Sequence, residues 1–199
     1  MKREPVPLQG VFLLAHAQNH GRVEFHCGYI AVIALDLAFL HMLFKPFFQS
    51  NLGGYMANVN DVAKCFLYLD EQNDGDGISN LKLQKLVYYA QGFHCAIFDA
   101  PLFDDTISAW THGPVVANLY HQYKSFGSNR ISLPDSFDKS VLSDDEFGLI
   151  EEVFEVFGQF SAWKLRDMTH EETPWLNHEH DAGEIPLSEI KEYFKKRIH

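Results

Sequence analysis

His170-Glu171 opens like a zinc-protease pair. In that motif two histidines four apart on one helix face hold the metal, and the glutamate works as the base. The second histidine would have to stand at position 174, where the chain has Pro174. His178-Glu179-His180 sets its histidines two apart, which on a helix turns them away from each other. Asp74-Gly75-Asp76-Gly77 invites a calcium reading. A calcium loop needs oxygen ligands at alternate positions, glycine at position 6 and a bidentate glutamate at position 12. Placing Gly77 or Gly75 at position 6 puts Leu83 or Leu81 at position 12, so both registers fail. The expectation is a solvated turn and no metal or other cofactor. No nucleophile elbow, phosphate-binding loop or dinucleotide fingerprint is present in the sequence.

Two clusters keep their interest. Trp110-Thr111-His112-Gly113-Pro114-Val115 sets a histidine between a strand and a helix start. The structural role expected of His112 is to serve the open backbone N–H groups of that helix. The second cluster is Ser161-Ala162-Trp163 with Thr169-His170 and Pro174-Trp175. Its expected structural role is capping plus aromatic packing. Neither cluster brings a nucleophile together with a base, so the structural role is favoured. The alternative is an enzyme working through His112 and His170, with Lys85 in support.

The elements that must position these residues are mainly helical. Val59, Val62, Ala63, Phe66 and Leu67 recur at helical spacing, and the run stops in the Asn73–Gly77 turn cluster. Ser79 is the expected cap of a second helix ending at Asp99-Ala100-Pro101. Its apolar stripe is flanked by Tyr88, Gln91 and Cys95, which predicts burial over much of its girth. Residues 106–111 read as a short strand, with Leu102-Phe103 as its hairpin partner. Gly113-Pro114 is expected to open the next helix, and Gly127 to stop it. Residues 128–142 read as a loop with at most a short strand. Ser143 and Glu146 form a capping box for a helix that Gly158 ends. A short helix follows over 161–168. Thr173 precedes Pro174 as a cap, and a last helix starts at about Ser188 and ends in basic residues that offset its dipole. The fold expected is a single compact helical domain, mainly α with a small β-hairpin or short sheet, plus an N-terminal extension.

The chain has 199 residues, 46% of them hydrophobic, with 16 basic and 27 acidic side chains for a net charge of −11. This excludes a disordered chain and argues against a general nucleic-acid binder, which needs a basic face. Cys27, Cys65 and Cys95 lie far apart, which fits a reducing cytoplasm better than a disulfide framework. Cys65 and Cys95 fall in helical stripes and read as buried structural thiols.

Residues 1–55 carry a net charge of +1, so the remainder carries −12. The apolar run from Cys27 to Phe48 approaches the roughly 20 residues of a membrane span, but Asp36, His41 and Lys45 interrupt it. It is no signal peptide, because Pro5 and Pro7 follow the basic start and the apolar run comes late. Three readings compete: a membrane anchor, a helical extension packed on the domain, and translated upstream sequence with the start at Met56. The third is favoured, since Gly53-Gly54-Tyr55-Met56 can be encoded as a purine-rich ribosome-binding site before a start codon. The domain then spans 56–199.

Leu83-Gln84-Lys85-Leu86-Val87-Tyr88-Tyr89-Ala90-Gln91-Gly92 resembles the signature helix of the Panacea domain, the SocA-like antitoxin domain of GepA-like, phage-associated proteins. Pro101-Leu102-Phe103, Ala109-Trp110, His112-Gly113-Pro114-Val115, Tyr120, Gly127, Ser161-Ala162, Leu165, Thr169-His170 and Pro174-Trp175 follow in matching order. The resemblance covers about Met56 to His199 and leaves 1–55 unmatched.

It implies a non-enzymatic, cytoplasmic antitoxin of a prophage or mobile element. Such a protein binds a cognate toxin directly, and in one branch delivers it to a Clp-type protease. Nothing in 1–55 resembles the added DNA-binding region of some relatives, so no direct nucleic-acid or membrane partner is expected. A domain that faces many toxins keeps its scaffold and varies its surface. Leu83, Gln84, Leu86, Tyr88, Tyr89, Trp110, Gly113, Pro114, Tyr120, Ser161, Pro174 and Trp175 are therefore expected as scaffold. Lys85, Gln91, His112, Thr169 and His170 are expected as a polar binding cluster. A membrane-anchored regulator using residues 27–48 is a further alternative.

Overall fold

Ser79 ends an extended approach and its hydroxyl accepts the Lys82 N–H at 3.4 Å, which starts the axis of the molecule. The computed structural model describes residues 56–73, 75–133 and 137–198. The readings of 1–55, including the Cys27–Phe48 run, lie outside the described residues.

Helix α1 spans Val59–Gln72, α2 Asn80–Phe98, α3 Ala117–Tyr123, α4 Asp144–Phe157, α5 Ala162–Thr169, α6 Thr173–Leu176 and α7 Leu187–Lys195. The architecture is mainly helical with one two-stranded antiparallel sheet among the described residues. Every residue of α2 from Lys82 to Ala96 is buried. The other helices and the sheet are laid around it, with α7, α5 and α4 covering the most of it. Asp99 closes α2 in a left-handed conformation, φ 62°. Its carboxylate takes Lys191 at 2.9 Å and Lys195 at 3.0 Å from α7. The caps at Ser79, Ser143 and Ser161 stand as expected, and the reciprocal box between Ser143 and Glu146 is complete.

The β element differs from expectation. Strand β1 is Ser108–Trp110, and its partner β2 is Gly113–Val115 rather than Leu102-Phe103. Ala109 faces Pro114 in the register. A sheet this small is all edge, so a proline without an N–H is tolerated there. Gly113-Pro114 therefore does not open a helix; α3 begins two residues after the strand, with Val116 as its cap. Gly183 and Ile185 lie along the open side of β1, exchanging Ala109 N to Gly183 O and Ile185 N to Ile107 O, each at 2.8 Å. Residues 139–141 form a 3-10 turn in place of the short strand allowed for there. The cap of α6 is Glu172 rather than Thr173.

Candidate functional site

Helix α2 buries side chains that ordinarily face water. Asn80, Gln84, Lys85 and Gln91 are 3%, 2%, 0% and 2% exposed. Each is occupied by the backbone of residues 102–120, which crosses the helix. Asn80 Nδ2 donates to Tyr120 O at 3.0 Å, and Gln84 Nε2 donates to Asn80 Oδ1 at 3.3 Å. Gln84 Oε1 accepts the Val116 N–H at 2.9 Å. Gln91 Oε1 accepts Leu102 N at 2.8 Å and Phe103 N at 3.2 Å, and its Nε2 donates to Phe103 O at 2.9 Å. The open N–H at the start of α3 thus goes to Gln84, not to His112. Asn80, Gln84 and Gln91 fall at i, i+4 and i+11, one face of the helix. That face is a template that holds the crossing segment at Leu102, Phe103, Val116 and Tyr120.

Lys85 leaves the helix in another direction. Its Nζ donates to Pro114 O at 2.8 Å. Gly113 makes the approach possible. An added Cβ there would stand 2.6 Å from Thr169 Oγ1 and 2.7 Å from Lys85 Nζ, and its φ of +96° is one that side chains disfavour. Burial holds the Lys85 ammonium well below the usual lysine range; Arg166 pushes it further down and Glu172 pulls it back up.

Helix α5 brings the rest. Thr169 is fully buried, and its hydroxyl donates to Arg166 O at 2.8 Å. His170 caps the helix, its ring stacked on Trp175 with centroids 3.7 Å apart. Trp175 Nε1 donates to Trp110 O at 2.9 Å, which ties α6 to the sheet. His112, in the turn between the strands, meets Trp163 edge-on at 5.8 Å. Burial, then Arg166 and Lys85, push the His170 imidazole down to about 4, so it is neutral at pH 7. The structure thus gathers Lys85, Thr169 and His170 behind β2 and α5, with His112 at their outer edge. Gln91 sits apart, six residues along α2, at the 102–103 crossing.

Sequence reading missed Glu172. It is 1% exposed. Tyr88 Oη donates to its Oε2 at 2.8 Å and Tyr89 Oη to its Oε1 at 3.1 Å. Arg197 Nη1 lies 3.5 Å from Oε1, an ion pair without a directed hydrogen bond. Burial raises the Glu172 carboxyl to about 7, against the pull of Arg197 and the two tyrosines. The available signal was Tyr88-Tyr89 itself, since a buried phenol requires a partner.

Elsewhere, His178 pairs with Glu189 at 3.1 Å and His180 lies 3.8 Å from Asp181. Among the described residues no three His, Cys, Asp or Glu side chains converge as metal ligands. A cleft of about 380 Å³ lies between the ends of α1 and α4, with Asp70, Asp76, Lys82, Glu151 and Glu155 in its wall. None of the expected site residues lines it. No described helix is long and apolar enough to cross a membrane.

Comparison with known proteins falls on the same segment. A family model described as "Antitoxin SocA-like, Panacea domain" matches residues 83–176, from the first turn of α2 to the end of α6. Antitoxin SocA of Caulobacter vibrioides (strain NA1000 / CB15N) is 32% identical over 110 residues, covering 49% of this chain and 58% of that protein. The chain thus aligns with little more than half the length of that curated relative. No solved structure matches. Residues 83–176, just under half of the chain, thus carry its likeness to the SocA-like Panacea family.

Proposed function

We propose that the chain is an antitoxin that neutralises a cognate toxin by direct contact, and that the contact is centred on the face made by Trp163, His112 and Arg166. The observation that carries this reading is Trp163. Its indole is 60% exposed on a helix whose other large apolar side chains, Leu165 and Met168, are buried. An exposed tryptophan on a rigid element is the kind of residue that dominates protein interfaces. The family match and the SocA relative supply the class of partner. The template residues Gln84, Lys85 and Gln91 are engaged with backbone, which supports a scaffold role for them and leaves the variable surface to α5 and the turn at Thr111-His112.

The functional unit in this reading is 56–199, a cytoplasmic domain carrying −12. That charge steers a basic toxin toward it, so the association rate falls with added salt. Delivery of the toxin to a Clp-type protease and carriage on a prophage are the finer parts of the proposal.

The test is co-expression with the adjacent gene. The neighbour is expected to be toxic alone and harmless beside this chain, and Trp163→Ala is expected to lose rescue while keeping its fold. A non-toxic neighbour overturns the reading. His112→Ala with His170→Ala separates binding from catalysis. Lost rescue with intact fold and intact toxin binding would favour an enzyme working through the two histidines.

A further inference from the structure

One face of α5 sets a single cation among aromatic rings on an acidic chain. Trp163, Arg166 and His170 stand at i, i+3 and i+7, one stripe of the helix. Lys85 lies behind the stripe and His112 flanks it. The charges are close enough to act on one another. Arg166 lowers the Lys85 ammonium, and Arg166, Lys85 and His112 all lower the His170 ring.

Two nitrogens of this stripe lack partners among the described residues. Arg166 Nε and His170 Nε2 are shielded from water and make no hydrogen bond there. An arginine Nε–H is always a donor, and leaving a buried donor unpaired is costly. Among the described residues, the carboxylate on the guanidinium is that of Asp167, the adjacent residue, which takes Nη1 at 2.8 Å. That leaves the Nε–Nη2 edge, the side of the fork that fits two oxygens of one planar or tetrahedral anion. The Arg166 side chain is 30% exposed, so it runs from the surface to the shielded atoms. The Asp167 pair is an exposed one, of the kind that contributes little and yields to a better acceptor.

We infer that this stripe is an oxyanion site: a carboxylate or phosphate oxygen pair docks on the Nε–Nη2 edge of Arg166 and accepts from His170 Nε2, with Trp163 and His112 as its outer wall. Lys85 stays behind the stripe, its Nζ on Pro114 O. The site shares Trp163, His112 and Arg166 with the proposed toxin face, and anion binding by the isolated chain tests it without reference to rescue.

The test uses the full chain and two probes, inorganic phosphate and glutarate, each titrated at constant ionic strength and pH 7. The readout is the imidazole carbon–proton NMR signals of His170 and His112, identified with His170→Gln and His112→Gln variants. A saturable shift of His170 at millimolar probe is expected. It is expected to be absent in Arg166→Met, which keeps the stem of the side chain, and unchanged in Lys191→Met, a cation on α7. Saturation by phosphate alone assigns the site to a phosphate group, and saturation by glutarate alone assigns it to an acidic side chain; either upholds the inference. No saturable shift with either probe overturns it, as does an undiminished shift in a folded Arg166→Met. Should that variant not fold, the wild-type titration decides alone.

Discussion

Gln91 holds Phe103 from both sides of its peptide: the amide oxygen accepts Phe103 N at 3.2 Å and the amide nitrogen donates to Phe103 O at 2.9 Å. With Leu102 N at 2.8 Å on the same oxygen, one side chain satisfies three buried backbone groups. Gln91→Leu keeps the volume and leaves all three unpaired. Each unpaired group costs about 1–3 kcal/mol, so a loss of at least ~3 kcal/mol is expected in urea melts. Gln91→Glu is expected to be no better, since a carboxylate cannot donate to Phe103 O. A loss within ~1 kcal/mol of zero for Gln91→Leu would show that water replaces the clamp.

Gly92 and Phe194 are matched by absence of volume. A Cβ at 92 would stand 2.3 Å from Cε2 of Phe194, a ring that is fully buried and edge-on to Tyr88 and Phe93. Gly92→Ala is therefore expected to destabilise by about 1–3 kcal/mol through overpacking. Phe194→Ala alone is expected to cost about 3–5 kcal/mol. In the Phe194→Ala background the sign of Gly92→Ala reverses, because the clash is gone and alanine is the better helix former by about 1 kcal/mol. The double-mutant cycle reads this as a coupling energy; additive effects would mean that the helices separate rather than clash.

The helices were legible because their signals are local. The serines at 79, 143 and 161 cap as their spacing says, and the apolar periodicity of α1 and α4 reads directly. The β element was not, because its determinants are distant. Pro114 after Gly113 has the local signature of a helix start. It is held in a strand by Ala109 across the ladder and by Lys85, 29 residues earlier, on its carbonyl. Leu102-Phe103 has strand-like composition, yet Gln91 takes the backbone groups a partner strand would need. Glu172 stands beside another acid, Glu171, with no local pattern to mark it. Only the fold shows that its partners lie 83 and 84 residues away. For the polar cluster the residue types were visible in sequence, but not that Lys85 and Gln91 are occupied internally.

Glu172 predicts a pH dependence of stability. Its carboxyl rises from 4.5 to about 7 on folding. Between those values the folded chain holds a proton that the unfolded chain has released, so this group lowers stability as pH rises through the window. Glu152, raised to about 7 by burial and its acidic neighbours, acts in the same direction. His170 acts oppositely. Its ring falls from 6.5 to about 4, so its share of the stability rises with pH between those values. Glu172→Gln separates these contributions, since the amide keeps the shape and does not titrate. Urea melts at pH 5 and pH 8 are expected to show the variant gaining on the wild type at pH 8 by a few kcal/mol at most. Parallel curves for the two proteins would assign the pH dependence to the other groups.

Cys65 and Cys95 are 0% and 1% exposed. Burial pushes the Cys65 thiol up to about 12, against a small pull from Lys139, and the Cys95 thiol up to about 11, against Lys191. The thiolate is the reactive form, and at pH 8 both groups are thiols in the folded chain. Alkylation then requires opening of the core, and its rate follows the open fraction rather than the intrinsic reactivity of a cysteine. Iodoacetamide at pH 8 followed by peptide mapping is expected to leave the Cys65 and Cys95 peptides unlabelled in buffer and to label both fully in concentrated urea. Because α2 carries Cys95 one turn from Gln91, Gln91→Leu is expected to speed labelling at Cys95 in buffer. Rapid labelling of either cysteine in the native wild type would contradict the burial of α1 and α2 on which the template depends.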